Sequence, residues 1–221
     1  MKKEVIVISL GGSVIVPDDV DVSFLKKFKS LILKYKRKYR FVIVTGGGRT
    51  CRKYQKAAAQ FNISKADLDW IGIEASRLNA NLVKYIFGVK EEIIKEPARK
   101  PNFKDVIIGG GWKPGRSTDY DAVMLAKQLR AKTVINISNV DWLYTKDPRF
   151  HKDAKIIKSA GWKELRKLAG DKWVPGMNKI FDPEAVKLAE KTRLRLIFAG
   201  KDINNLSNLL NGKKFKGSVV Q

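Results

Sequence analysis

Cysteine is nearly absent from this chain: Cys51 stands alone among 221 residues. A lone thiol excludes an internal disulfide framework and fits a reducing, cytoplasmic setting. Because it follows a glycine turn, Cys51 is read as a small residue packed on a helix rather than a reactive thiol. No apolar run approaches the roughly eighteen residues of a membrane span. The N-terminal Met-Lys-Lys-Glu resembles the start of a signal peptide, but the apolar stretch behind it is short and runs into Gly11-Gly12. It is read as a first buried strand. Acidic residues are also scarce, with 22 Asp and Glu against 45 Lys and Arg, a formal charge of +23. Such a field attracts phosphorylated small molecules, acidic surfaces or RNA. The basic residues are spread over nearly every helix, however, and no nucleic-acid-binding motif accompanies them, so nucleic acid is not expected as a partner. Solvated helix faces account for the dispersed charge.

Repeats, low-complexity tracts and interdomain linkers are missing as well. With 44% hydrophobic residues, residues 1–221 are expected to form one domain with a substantial core, divided by its site into two lobes. Strands are predicted at residues 5–10, 41–45, 106–108, 133–138 and 194–199, with a short edge strand at 93–95 and an extended piece at 217–220. Helices are predicted at 22–39, 50–61, 67–87 (broken near Gly72), 118–129, 162–169, 183–191 and 203–210. In the first helix Phe24, Leu25, Phe28, Leu31, Ile32 and Tyr35 share one face opposite lysines. Asp182 caps the helix that Pro183 opens. Strands alternating with helices predict an α/β fold, a mainly parallel sheet covered by helices on both faces.

What the chain does have is glycine at strand ends. The runs are VIVISLGGS (5–13), FVIVTGGGR (41–49) and VIIGGGWKPGRST (106–118), and a polar strand end follows at ISNVDWLYTKDP (137–148). Glycines there let backbone N–H groups converge on an anion at a helix N-terminus. In an open parallel sheet, ligands collect at the carboxyl ends of the strands, so these turns predict one site holding several phosphates. Gly46-Gly47-Gly48 is costly in entropy for a mere connector, and Arg49, Arg52 and Lys53 would set cations beside a bound phosphate. A carboxylate of Asp67 or Asp69 suits ribose hydroxyls. The loop 109–118 offers fixed donors and acceptors for the edge of a base. Ser138, Asn139, Asp141, Tyr144 and Asp147 suit an adenine and ribose pocket.

These residues identify the chain as resembling the amino-acid-kinase superfamily, and within it the archaeal-type uridylate (UMP) kinases. The motifs, in order, are Gly11-Gly12-Ser13, Thr45-Gly46-Gly47-Gly48 with Tyr54 and Lys56 behind it, and Asp69 followed by Ile71-Gly72-Ile73, Ser76-Arg77 and Asn79-Ala80. Gly110-Gly111 with Pro114-Gly115 and Ser117-Thr118, then Asn139-Val140-Asp141 with Tyr144 and Lys146-Asp147-Pro148, and finally Asp182-Pro183 with Ala185 and Lys187, complete the set. The resemblance implies a three-layer αβα sandwich around a mainly parallel sheet, assembled as a homo-oligomer such as a hexamer. It implies phosphorylation of UMP to UDP with ATP and Mg²⁺ in pyrimidine nucleotide biosynthesis. By matching positions, Gly12, Ser13, Gly48 and Arg52 fall on the ATP phosphates, and Ser138, Asn139, Tyr144 and Asp147 on adenosine. Gly47, Asp69 and the run Trp112, Lys113, Pro114, Gly115, Arg116, Ser117 and Thr118 fall on UMP, with Asn139 assigned to UMP as well. Gly12, Ser13, Arg52 and Asp141 are the catalytic candidates, and no protein metal ligands are expected.

The chain departs from the family pattern at several points. Ser9 stands where many superfamily members carry a lysine, whose charge Arg52 or Lys179 would have to supply. Trp142 replaces the usual glycine, Tyr120 and Asp121 replace small apolar residues, and the segment 88–104 is shorter than usual. Two alternatives follow: a nucleotide-binding or storage homologue without turnover, and a kinase for another small phosphate such as isopentenyl phosphate. The latter enzymes usually place a histidine at the acceptor, whereas the only histidine here, His151, is expected at the surface.

Overall fold

A computed structural model describes residues 3–148, 150–170 and 181–221. The chain alternates strand and helix. Its elements begin with β1 (Glu4–Leu10), α1 (Gly12–Ile15), α2 (Val22–Tyr35), β2 (Tyr39–Thr45), α3 (Gly48–Ala58) and α4 (Lys65–Phe87). β3 (Val106–Gly109), α5 (Thr118–Leu129), β4 (Thr133–Ser138), β5 (Leu143–Tyr144), β6 (Ile156–Ile157) and β7 (Ser159–Ala160) follow. The chain closes with α6 (Trp162–Ala169), α7 (Pro183–Lys191), β8 (Arg195–Gly200), α8 (Ile203–Leu210) and β9 (Ser218–Val220).

One seven-stranded sheet runs in the order β3-β2-β1-β4-β8-β9-β7. Every pairing from β3 to β8 is parallel, and only the β8–β9 pair is antiparallel. The central strands are buried on both faces, so alternate residues enter different cores. Ile6, Ile8, Leu10, Phe41 and Ile43 pack with α2, α4 and α8. Val7, Val42 and Val44 pack with α5, α6 and α7. This is the expected three-layer αβα architecture. Among the described residues, no helix is long and apolar enough to cross a membrane.

Four local expectations are corrected. The first long helix stops at Tyr35 rather than 39, because Tyr39 starts β2 and pairs with Glu4 across a seven-residue ladder. No break occurs in α4 at Gly72. A Cβ there would lie 2.8 Å from Gln55 Nε2 and 3.2 Å from Cys51 Sγ, so this glycine serves the close crossing of α3 on α4. Residues 93–95 form no strand; only Ile94 bridges to Gly109. Gly11-Gly12-Ser13 is not a bare turn: Gly11 caps α1, into which residues 12–15 wind. Cys51 is half-buried in the same crossing, and burial pushes its thiol above the ordinary range, which agrees with a packing role.

Candidate active site

Parallel strands end on a common edge, and here the ends of β1, β2 and β4 are tied together beyond the last residue of each strand. The Gly11 amide donates to Ile137 O at 2.9 Å and the Gly46 amide to Leu10 O at 3.0 Å. The first two glycine turns then touch backbone to backbone. A Cβ at Gly12 would stand 2.0 Å from the Gly48 nitrogen, and one at Gly48 2.5 Å from Gly12 O. Gly48 also has φ +67°, a left-handed backbone that side chains disfavour. Asn79 holds the second turn from α4, its Nδ2 donating to Gly46 O at 2.8 Å. Helix α3 starts here with glycine at its cap and no acidic residue in its first turn. Its N-terminal dipole favours an anion at this turn, while the Arg49 amide is given to Val16 O at 3.1 Å.

On one side of these turns lies a cavity of about 880 Å³. It brings together Ser13, Ser138, Asn139, Tyr144 and Asp147 from the sequence-predicted set. Asn139 reaches across it, donating to Ser13 O at 3.3 Å. Trp142 lines the same cavity, as do Glu164 and Lys167 of α6. The last two had no sequence signal, since a Glu and a Lys three apart resemble any charged helix face. Gly12, Gly48 and Arg52 are not among the lining residues; Arg52 is exposed on α3. Neither is Asp141, whose carboxyl rests on the face of Gly200, where a Cβ would meet Oδ1 at 1.9 Å.

On the other side, the loop 110–117 is held from three helices. Ser76 Oγ accepts from the Gly111 amide at 2.7 Å, and Arg77 donates to the Gly111 and Trp112 carbonyls, each at 3.0 Å. Asp69 accepts from the Gly115 amide at 2.8 Å. Asp182 accepts a short hydrogen bond from Ser117 Oγ while capping α7 through the amides of Glu184 and Ala185. Ser117 itself caps α5, accepting from the Tyr120 amide. Lys113 lies over the Trp112 ring and Arg116 over Tyr120. Asp69 and residues 112–118 thus share this side, and neither they nor Gly47, which packs on Cys51 and Gly72, line the large cavity.

Between the two sides stand carboxyls that the sequence did not single out as a group. Asp119 accepts from Ser9 Oγ at 2.7 Å and Asn136 Nδ2 at 3.0 Å, binding the start of α5 to β1 and β4. Burial pushes its carboxyl up to about 6, with the Asp182 charge adding and the two hydrogen bonds opposing. Asp121 is 1% exposed and is pushed up to about 8, again mainly by burial. Ser9, which the resemblance sets where many superfamily members carry a lysine, is therefore engaged with Asp119. The turn carrying Lys179 lies outside the described residues. Among the described residues no three Asp, Glu, His or Cys gather as a metal site.

Residues 4–200 match the amino acid kinase family. The chain belongs to that family. The chain is 37% identical over 215 residues to the uridylate kinase of Thermoplasma volcanium, covering 95% of this chain and 94% of that one. It is 34% identical over 223 residues to the uridylate kinase of Thermococcus onnurineus, covering 98% and 99%. The crystal structure of uridylate kinase from Archaeoglobus fulgidus superposes with a TM-score of 0.83 at 27% identity, over 98% of this chain and 99% of that one. The structure of UMP kinase from Ureaplasma parvum, at 20% identity and a TM-score of 0.79, shares the fold over both full lengths.

Proposed function

We propose that this chain is a uridylate kinase, transferring the terminal phosphoryl group of ATP to UMP. The observation that carries the reading is the Gly12–Gly48 contact, which sets two phosphate-type turns back to back between a nucleotide-sized cavity and the pinned 110–117 loop. Full-length relatives bearing that name support it.

In this reading ATP occupies the 880 Å³ cavity. Ser138, Tyr144 and Asp147 take its adenosine, and Gly12, Ser13, Gly48 and Arg52 its phosphates. UMP lies against Gly47, Asp69 and residues 112–118, with Asn139 at the boundary of the two sites. A UMP phosphate oxygen attacks the terminal phosphorus in line and ADP leaves, with no covalent enzyme intermediate. The protein's part is position and charge: glycine amides at the N-terminus of α3 meet the phosphoryl oxygens, and Arg52 adds a full charge. Asp141 rests on Gly200 outside the cavity and is given no part in the transfer. Mg²⁺, when bound, neutralises charge on the ATP phosphates.

The chain also fits a homo-oligomer, a hexamer by family resemblance. Trp70, Leu78 and Tyr85 leave 44%, 62% and 73% of their surfaces exposed at seven- to eight-residue spacing on α4. That spacing puts them on one helix face, the kind of apolar stripe that a second copy covers.

A coupled assay with ATP, Mg²⁺ and each nucleoside monophosphate tests the activity: UDP formation selective for UMP is expected, and tight UMP binding without turnover overturns it in favour of a storage protein. Turnover of isopentenyl phosphate instead would identify the other kinase, although His151 is exposed in the turn after β5. Within the acceptor site, Asp69→Asn is expected to raise KM for UMP roughly tenfold with little effect on KM for ATP, the cost of weakening charge-assisted bonds. Equal effects on both substrates would remove Asp69 from the UMP site.

A further inference from the structure

Asp121 has no counterpart in the family pattern and no role in the chemistry above. Its side chain is 1% exposed, on the first turn of α5. Oδ2 accepts from the Trp112 amide at 3.0 Å. Oδ1 is buried with no hydrogen-bond partner among the described residues. The Trp112–Asp121 bond joins the entry of the 112–117 loop to the helix that the loop leads into. Without it the loop's other carboxylate anchors are Asp69 at Gly115 and Asp182 at Ser117, both nearer its far end. A nine-residue closure of this kind removes conformational freedom that a ligand would otherwise have to remove on binding.

We infer that Asp121 is a positioning residue for the acceptor nucleotide, closing the 112–117 loop on α5 through the Trp112 amide and so setting the affinity for UMP. This rests on the uridylate kinase reading. The residue acts through the loop, so turnover itself is not its province.

The environment also dictates the form in which Asp121 does this. The groups facing it are Asp119 on its own helix, Asp182 at the cap of α7 and Arg116 in the loop. The strands beneath α5 present Val7, Val42, Val44 and Val134 to the shared core. Two acids against one arginine, in an apolar setting and with one oxygen undonated, favour the neutral acid. Burial accordingly pushes the carboxyl up to about 8. Ionisation above that pH would place a bare anion beside Asp182, which holds Ser117, and near the incoming phosphate. The neutral form is the one that serves the site.

Two substitutions test this. Asp121→Val removes the acceptor for the Trp112 amide; KM for UMP is expected to rise roughly tenfold, with kcat and KM for ATP within about twofold of the parent. Asp121→Asn keeps an acceptor and cannot ionise. Its KM for UMP should stay level from about pH 7 to 9.5, while that of the parent climbs above about pH 8. Amide exchange at Trp112, measured on the ligand-free chain, should quicken in the Val variant and not in the Asn variant. Parallel pH profiles for parent and Asn variant would overturn the inference, as would a Val variant that loses kcat and both affinities together. If the parent fails to phosphorylate UMP, the functional reading falls, and the Trp112 exchange rates still decide whether Asp121 closes the loop. Should the Val variant not fold, the Asn comparison decides alone.

Discussion

Gly12→Ala is expected to leave a folded sheet with almost no phosphoryl transfer. The added methyl would lie 2.0 Å from the Gly48 nitrogen and 2.6 Å from both Gly48 Cα and the Gly46 carbonyl carbon. These are backbone atoms, so no side chain can swing aside. The two turns must separate, carrying with them the amides that would face the transferring phosphoryl group. Losing one such preorganised donor typically lowers kcat roughly 100- to 1000-fold, and this substitution displaces several at once. Overpacking of a close contact costs about 1–3 kcal/mol besides, which a 221-residue chain survives. Gly161→Ala is the matching control: a Cβ at the cap of α6 meets nothing within 4 Å, and activity should be unchanged. Steady-state rates and a thermal melt on both variants check the claim. A Gly12→Ala enzyme retaining activity within about threefold of the parent would show that the contact is not what organises the site.

The second large effect is a fall in thermal stability as pH rises. Asp119 and Asp121 are raised from 3.8 to about 6 and about 8 in the folded chain. Between pH 4 and those values the folded state holds protons that the unfolded state has released, so raising the pH favours unfolding. Each acid contributes a slope of about 1.4 kcal/mol per pH unit in its window. From pH 6 to 8 Asp121 alone carries the difference, roughly 3 kcal/mol, which corresponds to on the order of 5–10 °C in Tm. Above about pH 8 both acids are ionised in either state and this decline ends. Asp21, Asp105 and Asp153 have lowered values through their own hydrogen bonds, and their loss is confined to pH below about 4. Calorimetry from pH 5 to 9 should show the fall in the parent and a flat profile above pH 6 in Asp121→Asn. A Tm that holds or climbs between pH 6 and 8 in the parent would contradict the burial argument.

Both effects arise from tertiary proximity, yet the sequence announced their ingredients unequally. Apolar periodicity placed α2, α5, α6, α7 and α8 within a few residues, because each buries one stripe and all but α6 begin at a local side-chain cap such as Asp182 or Ser117. It failed at Tyr39 and Gly72 because strand pairing with Glu4 and the crossing of Cys51 and Gln55 are contacts between distant segments. Likewise, the order of glycine motifs at strand ends pointed to the family.

The amino-acid order by itself determined the α/β alternation, the burial of strands on both faces and the glycine turns at the ends of the parallel strands. All three follow from local patterns: the period of apolar residues, and glycine's lack of a side chain. Only the folded chain decided that Gly12 abuts Gly48, that Ser9 serves Asp119, and that Asp121 grips Trp112 with one oxygen left bare. Burial and like-charge proximity set those relations, and they belong to pairs of residues brought together from separate parts of the chain.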